Sequence, residues 1–553
     1  MFHQQPSRGK GAFGTAILFA LLLMVGFAQA EVTTSGKTTS KSTADHSKFK
    51  QLQGPFNSGP EVTKACLSCH TEAAKQVMKT KHWTWESKNE KTGQLLGKKH
   101  VVNSFCGTPK SNWKACTACH AGYGWKDDSY DFTKQENVDC LVCHDQTEDY
   151  EKVSGGAGHP KGYEEEEDKK FLAEHGRKAF EPMDLAEVAQ SVGLPTRRNC
   201  GSCHFVGGGD DGVKHGDMDT SLVEPDEFLD IHMDVNGNNF SCTACHSTHG
   251  HNITGSRYQV KAKDTGGIDT PGRGDGSRTS CESCHGMAPH KTSTKLNDHV
   301  DKVACQTCHI PMIARGGVKT KTMWDWSTAG KLNEQGKGFS TRDEDGDVIY
   351  SSKKGHFKWD EELEPEYRWF DGQVNYTLFT DKIDDTKPVP INGIQGSYSD
   401  GKSRIWPFKI MHGKQVYDPI NKHLLVTHTY GHDDDAFWYS FDWKKALEAG
   451  AKAKGAPPFS GQYAFVETEM YWPITHMVAA AADALSCEAC HQQGGRLDHL
   501  TEFYMPGRDS NDILDGIGWF AVIMTGTGVV GHGLLRTYWH FRRKEDEENG
   551  ENS

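Results

Sequence analysis

The two longest apolar runs of this 553-residue chain lie near its ends. The first, Ala16 to Phe27, follows a basic start with Arg8 and Lys10 and closes on Ala28-Gln29-Ala30. Basic, apolar and small residues in that order read as a secretory signal over residues 1–30, with an uncleaved anchor as the other reading. The second, Gly516 to Leu535, has twenty residues without a formal charge when His532 is neutral, enough to cross a bilayer as one helix. Arg536, Arg542, Arg543 and Lys544 follow it, the positive flank expected on a cytoplasmic side. A transmembrane helix is therefore predicted at 513–535 and a cytoplasmic tail at 536–553. Six glycines within the span suggest close packing on another membrane helix.

Between these ends the patterns are weaker. Residues 31–58, rich in Ser, Thr, Lys and Gly, show no apolar period and read as a flexible spacer. Helical spacing is visible over Phe171–Ala179, Asp184–Val192 and Trp443–Ala449. The acidic run Glu164 to Asp168 reads as a solvated loop. Asp343 to Asp347 begins like a calcium loop, but Lys354 stands where the twelfth-position glutamate belongs, so Asp345-Gly346 is read as a hairpin turn. From Ile310 to Tyr471 there is no cysteine, and Trp324, Trp326, Trp359, Trp369, Trp406, Trp438 and Trp443 stand out.

The cysteines change the picture. Sixteen of the 17 form eight C-x-x-C pairs, each followed by histidine. They are Cys66, Cys69, His70; Cys116, Cys119, His120; Cys140, Cys143, His144; and Cys200, Cys203, His204. The series continues with Cys242, Cys245, His246; Cys281, Cys284, His285; Cys305, Cys308, His309; and Cys487, Cys490, His491. C-x-x-C-H is the c-type haem attachment signature: two thiols bind the porphyrin and the histidine reaches the iron. A zinc site or a redox disulfide would not repeat the histidine eight times. Eight covalent haems are expected, in a body over 59–505 that is mainly α with extensive loop and organised by its haems. The cysteine-free stretch should pack around them and lend them ligands. Since c-type haem is attached outside the bacterial cytoplasm, the body is expected in the periplasm, tethered to the inner membrane. A net charge of −13 argues against a nucleic-acid partner.

Of 29 histidines, eight are proximal, and 18 of the remainder lie in the body. That is enough to fill a second axial position on most irons, as suits electron transfer. The expected distal donors are His82, His215, His232, His251, His290, His299, His412, His423, His428 and His476. Two further features suit chemistry at an open iron. Cys106 is the odd cysteine, inert, paired between chains or reactive. The loop Phe205–Asp217 is glycine-rich and delivers Asp210, Asp211, Lys214, His215 and Asp217; a solvated polar loop is its plainer reading.

Segments FCGTPKSNWKACTACHAGYGW, VDCLVCHD, NCGSCHFVGGGDDGVKHGDMD, DIHM before CTACH, and TEMYWPITHM before CEACH make the chain resemble the octahaem tetrathionate reductases, over roughly residues 60–500. The resemblance implies seven bis-histidine haems and an active one on the second motif (Cys116, Cys119, His120) with Lys214 as its distal ligand. It implies Asp211 as proton donor or electrostatic organiser and Cys106 as the cavity cysteine. The C-terminal span departs from the soluble family pattern and implies a membrane b-type cytochrome or the quinol pool as electron donor. Two functions stay open: a reductase of a small oxyanion such as tetrathionate, or of nitrite or hydroxylamine, and a non-catalytic conduit to periplasmic carriers. An oxidase running in reverse is a third.

Overall fold

The computed structural model describes residues 43–103, 107–174, 178–207, 209–270 and 276–550. The signal at 1–30 and Cys106 lie outside these residues.

Up to His309 the chain is built from short helices, loops and two small hairpins (Ser87–Lys88 with Leu95–Leu96, Thr248–His249 with Asn252–Ile253), and most of the attachment motifs sit on a single helical turn. One turn brings residues i and i+3 to the same face, so both thiols of a pair point the same way. The first motif closes helix α1, Gly59–Leu67, whose start is fixed by Ser58 accepting from the Glu61 amide. Helix α2, Glu166–Glu174, begins five residues before the apolar pattern suggests. Glu166, Glu167 and Asp168 in its first turn favour that N-terminus. Their run is no solvated loop: Glu164 and Asp168 are buried, and Lys114 pairs with Glu167 at 2.5 Å and Asp168 at 3.0 Å. Helix α3, Leu185–Gln190, is capped by Asp184. Helix α4, Arg197–His204, has a Thr196/Asn199 capping box and ends on the fourth motif histidine.

The expectation of a mainly α body needs correction, because the tryptophan-rich stretch is a ten-stranded mixed sheet. Its strands are β1 Thr320–Asp325, β2 Ser340–Arg342, β3 Val348–Ser351, β4 Gly355–Asp360, β5 Glu366–Phe370, β6 Val374–Tyr376, β7 Val389–Ile394, β8 Arg404–Asp418, β9 His423–Leu424 and β10 Ala464–Pro473. The order is β6-β7-β10-β8-β1-β4-β3-β2, with β5 and β9 also paired to β8. The long strand β8 is central: it runs antiparallel to β10 from Phe408↔Pro473 to Tyr417↔Ala464 and parallel to β1. Trp324, Phe408, Met411, Met470 and Trp472 fill the largest core cluster on this sheet. Strands β2 and β3 pair across Asp343–Asp347, the hairpin turn expected there. Helix α5, Trp443–Gly450, packs beside the sheet, with Trp443 near Trp326 and Phe465.

Helix α6, Asp512–Gly550, is the one helix among the described residues long and apolar enough to cross a membrane, and that stretch is wholly exposed. A Cβ added at Gly516, Gly518, Gly526, Gly528, Gly531 or Gly533 would meet nothing within 4 Å.

Candidate haem sites and the second motif

An imidazole nitrogen binds a first-row metal at about 2 Å, and its ring centre lies about 1 Å beyond. Two imidazoles on opposite faces of one iron therefore have ring centres roughly 6 Å apart. Seven motif histidines face a second histidine at this spacing. The pairs are His70 with His46 at 6.4 Å, His144 with His251 at 6.4 Å, His204 with His82 at 6.3 Å and His246 with His476 at 6.3 Å. The others are His285 with His232 at 6.0 Å, His309 with His290 at 6.2 Å and His491 with His299 at 6.0 Å.

Half of these rings are steered through Nδ1, which leaves Nε2 free for a metal. His144, His246, His299 and His491 hold the carbonyls of Gly193, Thr254, Lys295 and Pro506 at 2.7–2.9 Å. His251 is held by the Gln76 amide oxygen at 2.8 Å and His290 by that of Asn297 at 3.2 Å. His476 is held by a carboxylate instead: Asp217, 0% exposed, lies 3.2 Å from its Nδ1 and also takes the amides of Thr475 and His476.

Six expected distal donors thus lie opposite a motif histidine, and four do not. His215 packs on Trp472 with ring centres 4.6 Å apart and points Nδ1 at Asp217, 3.7 Å away. His412 is exposed on β8 beside Glu469. His423 is buried on β9. His428 bonds the Ser111 carbonyl at 2.7 Å and Asp433 at 3.2 Å. His428 lies beside Ser111, just before the second motif, and none of the fourteen facing rings comes from residues 310–471. The spacer supplies the donor that sequence patterns miss. His46 opposes His70 and Leu52 is buried, so from there the chain is packed rather than flexible. Its only sequence signal is a histidine just upstream of the first motif.

His120 differs. Among the described residues no imidazole faces it. Its ring is boxed by Trp83, Trp85, Trp125, Tyr130 and Phe132, with centres 4.8–6.2 Å away. Nε2 lies 2.7 Å from the Trp83 carbonyl, while buried Nδ1 has no partner. Burial pushes this imidazole down to about 3, so it is neutral, the form that binds metal.

Lys214 lies within electrostatic reach of Cys119 in this motif. A Cβ added to Gly207 would lie 3.2 Å from the Lys214 amine and 2.5 Å from the Cys203 carbonyl. Glycine is required at 207 by that close approach. The Cys203 sulfur in turn contacts Cys119 of the second motif. Asp211 accepts from the Thr220 amide at 3.0 Å and from its hydroxyl, so both carboxylate oxygens hold that residue. Sequence reasoning passed over Asp219, whose buried carboxyl is pushed up to about 6 by desolvation.

Sulfur contacts also order the attachment sites. Cys66 touches Cys140, Cys119 touches Cys203, Cys200 touches Cys242 and Cys281 touches Cys305. Cys143 and Cys200, Cys245 and Cys284, and Cys308 and Cys490 are close enough to feel each other's charge. The second motif also adjoins the third, where the Asp139 amide donates to the Ala121 carbonyl at 3.1 Å and Lys152 bridges Asp139 and the His120 carbonyl.

Free thiols paired on single turns and histidines facing across an iron-sized gap together fit covalent c-type haem; His120 departs from this pattern, with Nε2 held by Trp83. Comparison with known proteins agrees. A family model described as bacterial cytochrome c matches residues 321–494. An uncharacterized protein of Archaeoglobus fulgidus is 27% identical over 285 residues, which are 44% of this chain and 92% of that one. The crystal structure of octaheme cytochrome c from Shewanella oneidensis aligns with a TM-score of 0.71 at 40% identity, over 85% of this chain and 98% of that one. With its repeated attachment turns and a relative matched over nearly its whole length, the chain belongs to the octahaem c-type cytochromes.

Proposed function

We propose that the protein carries eight haems, seven of them bis-histidine, and that it is a membrane-anchored, periplasmic reductase of a small oxyanion such as tetrathionate, or of nitrite or hydroxylamine. The reaction is assigned to the second motif, with His120 as proximal and Lys214 as distal ligand. The observation that carries this reading is the exception at His120: a ring without a facing imidazole, and a lysine amine beside Cys203. Haem bound at these motifs supplies one-electron redox chemistry.

The residues divide the work. Lys214 can ligate iron only as a neutral amine. It is a ligand that a small molecule can contest more easily than an imidazole. Only a glycine at 207 lets the amine lie this close to the backbone of the fourth motif. Asp211 and Cys106 are assigned to proton supply and to substrate sulfur respectively, as the family resemblance implies. The aromatic box keeps water from the His120 side.

Helix α6 is read as the anchor. His491 of the eighth motif bonds Pro506, shortly before α6 begins at Asp512, so electrons from a quinol pool or b-type cytochrome are expected to arrive at that end. The same neighbour relations favour a second reading, a conduit between the first and eighth motifs.

Rapid mixing of the reduced full-length protein tests both. Fast reoxidation by tetrathionate, nitrite or hydroxylamine identifies a reductase and its substrate class. Reoxidation by an oxidised carrier protein alone identifies a conduit. A pyridine haemochrome should give eight haems per chain, and a value well below eight removes the foundation of this reading. His46→Ala should turn one low-spin haem high-spin and leave the haem count unchanged; an unaltered spin state would show that His46 is no ligand.

A further inference from the structure

We infer that Lys409 is a positioning residue that sets Lys214 in place, an inference that rests on Lys214 being the distal ligand of the second motif. Lys409 lies in central strand β8 and is 2% exposed. An ammonium has three donors, and here all three have partners. They go to the Val213 carbonyl at 2.9 Å, the Lys214 carbonyl at 3.0 Å and Thr320 Oγ1 at 2.5 Å. Thr320, on neighbouring strand β1, lies with the same oxygen 2.7 Å from the Gly212 carbonyl and 3.0 Å from that of His215. Two adjacent strands thus grip the backbone oxygens from 212 to 215.

The grip is tight. Gly212 has a φ of +61°, and a Cβ there would meet the Lys319 carbonyl at 2.9 Å. With the carbonyls turned to the sheet, the Lys214 side chain leaves on the side of Gly207 and Cys203. Among the described residues no carboxylate pairs with Lys409, and its partners are all neutral oxygens. Burying this amine is costly, since desolvation pushes its proton affinity well down against a weaker pull from Asp217, and an apolar side chain would suit the middle of β8 better were packing the only requirement. Holding a weak ligand at a fixed distance from a metal is a requirement that justifies the cost.

The test uses the full-length, haem-loaded protein and near-infrared magnetic circular dichroism, which separates amine–imidazole from bis-imidazole ligation. Lys214→Ala first identifies the band of the second motif. Lys409→Met should remove that band in favour of a high-spin one and leave the bis-imidazole bands at full strength. Thr320→Val, which cuts the clamp from the other strand with little change of volume, should give a partial loss and covers the case in which Lys409→Met does not fold. If Lys214→Ala removes a band that both other variants keep in full, Lys409 only satisfies loop carbonyls and the inference is overturned. If Lys214→Ala itself changes no band, the ligand assignment falls and the positioning role falls with it.

Discussion

Lys214→Ala should lower turnover with the physiological oxidant by about 100-fold or more, the scale on which a positioned proton-carrying group contributes. The histidine-paired haems should keep their ligation, and among them the fourth-motif haem should shift most, since His204 feels the Lys214 charge. Stopped-flow turnover and a redox titration on the same preparation check the two halves together. Full turnover in the variant would move the chemistry away from the second motif.

Asp217→Asn should raise the reduction potential of one haem, that of the fifth motif. Six of the seven Nδ1 atoms with an assigned partner meet neutral oxygens, and His476 alone of them meets a buried carboxylate. A carboxylate acceptor makes imidazole a stronger donor and favours the oxidised iron. Exchanging a charge-assisted bond for a neutral one costs about 1.4 kcal/mol, or roughly 60 mV for one electron. Asparagine keeps an oxygen for the Thr475 and His476 amides, so the fold should hold. A spectroelectrochemical titration in which no single haem moves by more than about 20 mV would reject this role for Asp217.

The attachment turns were legible because C-x-x-C-H is a local code. The histidine pairs were not, because each is made by the fold: His246 meets His476 across the whole sheet region, and His46 lies in a segment with no apolar period. The sheet was hidden for a different reason. Strand β8 is buried on both faces over most of its length, so it shows no alternation, and Pro407 within it argues against a strand. Strand β10 does alternate, with Val466, Thr468, Met470 and Trp472 inward, and that signal was available. Asp184 and Asp442 cap helices α3 and α5, at or next to the start of the helical spacing seen in the sequence. Lys214 stood out only through its glycine-rich loop and a family likeness; Lys409 gave no signal, since nothing local marks a lysine in a strand as buried.

The position of the fourth attachment site has a consequence for timing. On the proposed assignment, the fourth motif, whose thiols neighbour those of the second, third and fifth, joins the reacting haem to a reserve of further haems. Such a reserve would work as a capacitor. On the same proposal it would fill while the donor is docked and discharge afterwards, so that a multi-electron reduction could finish between visits of the donor. Donor scarcity would then slow the refilling of the protein without stranding a half-reduced substrate inside it.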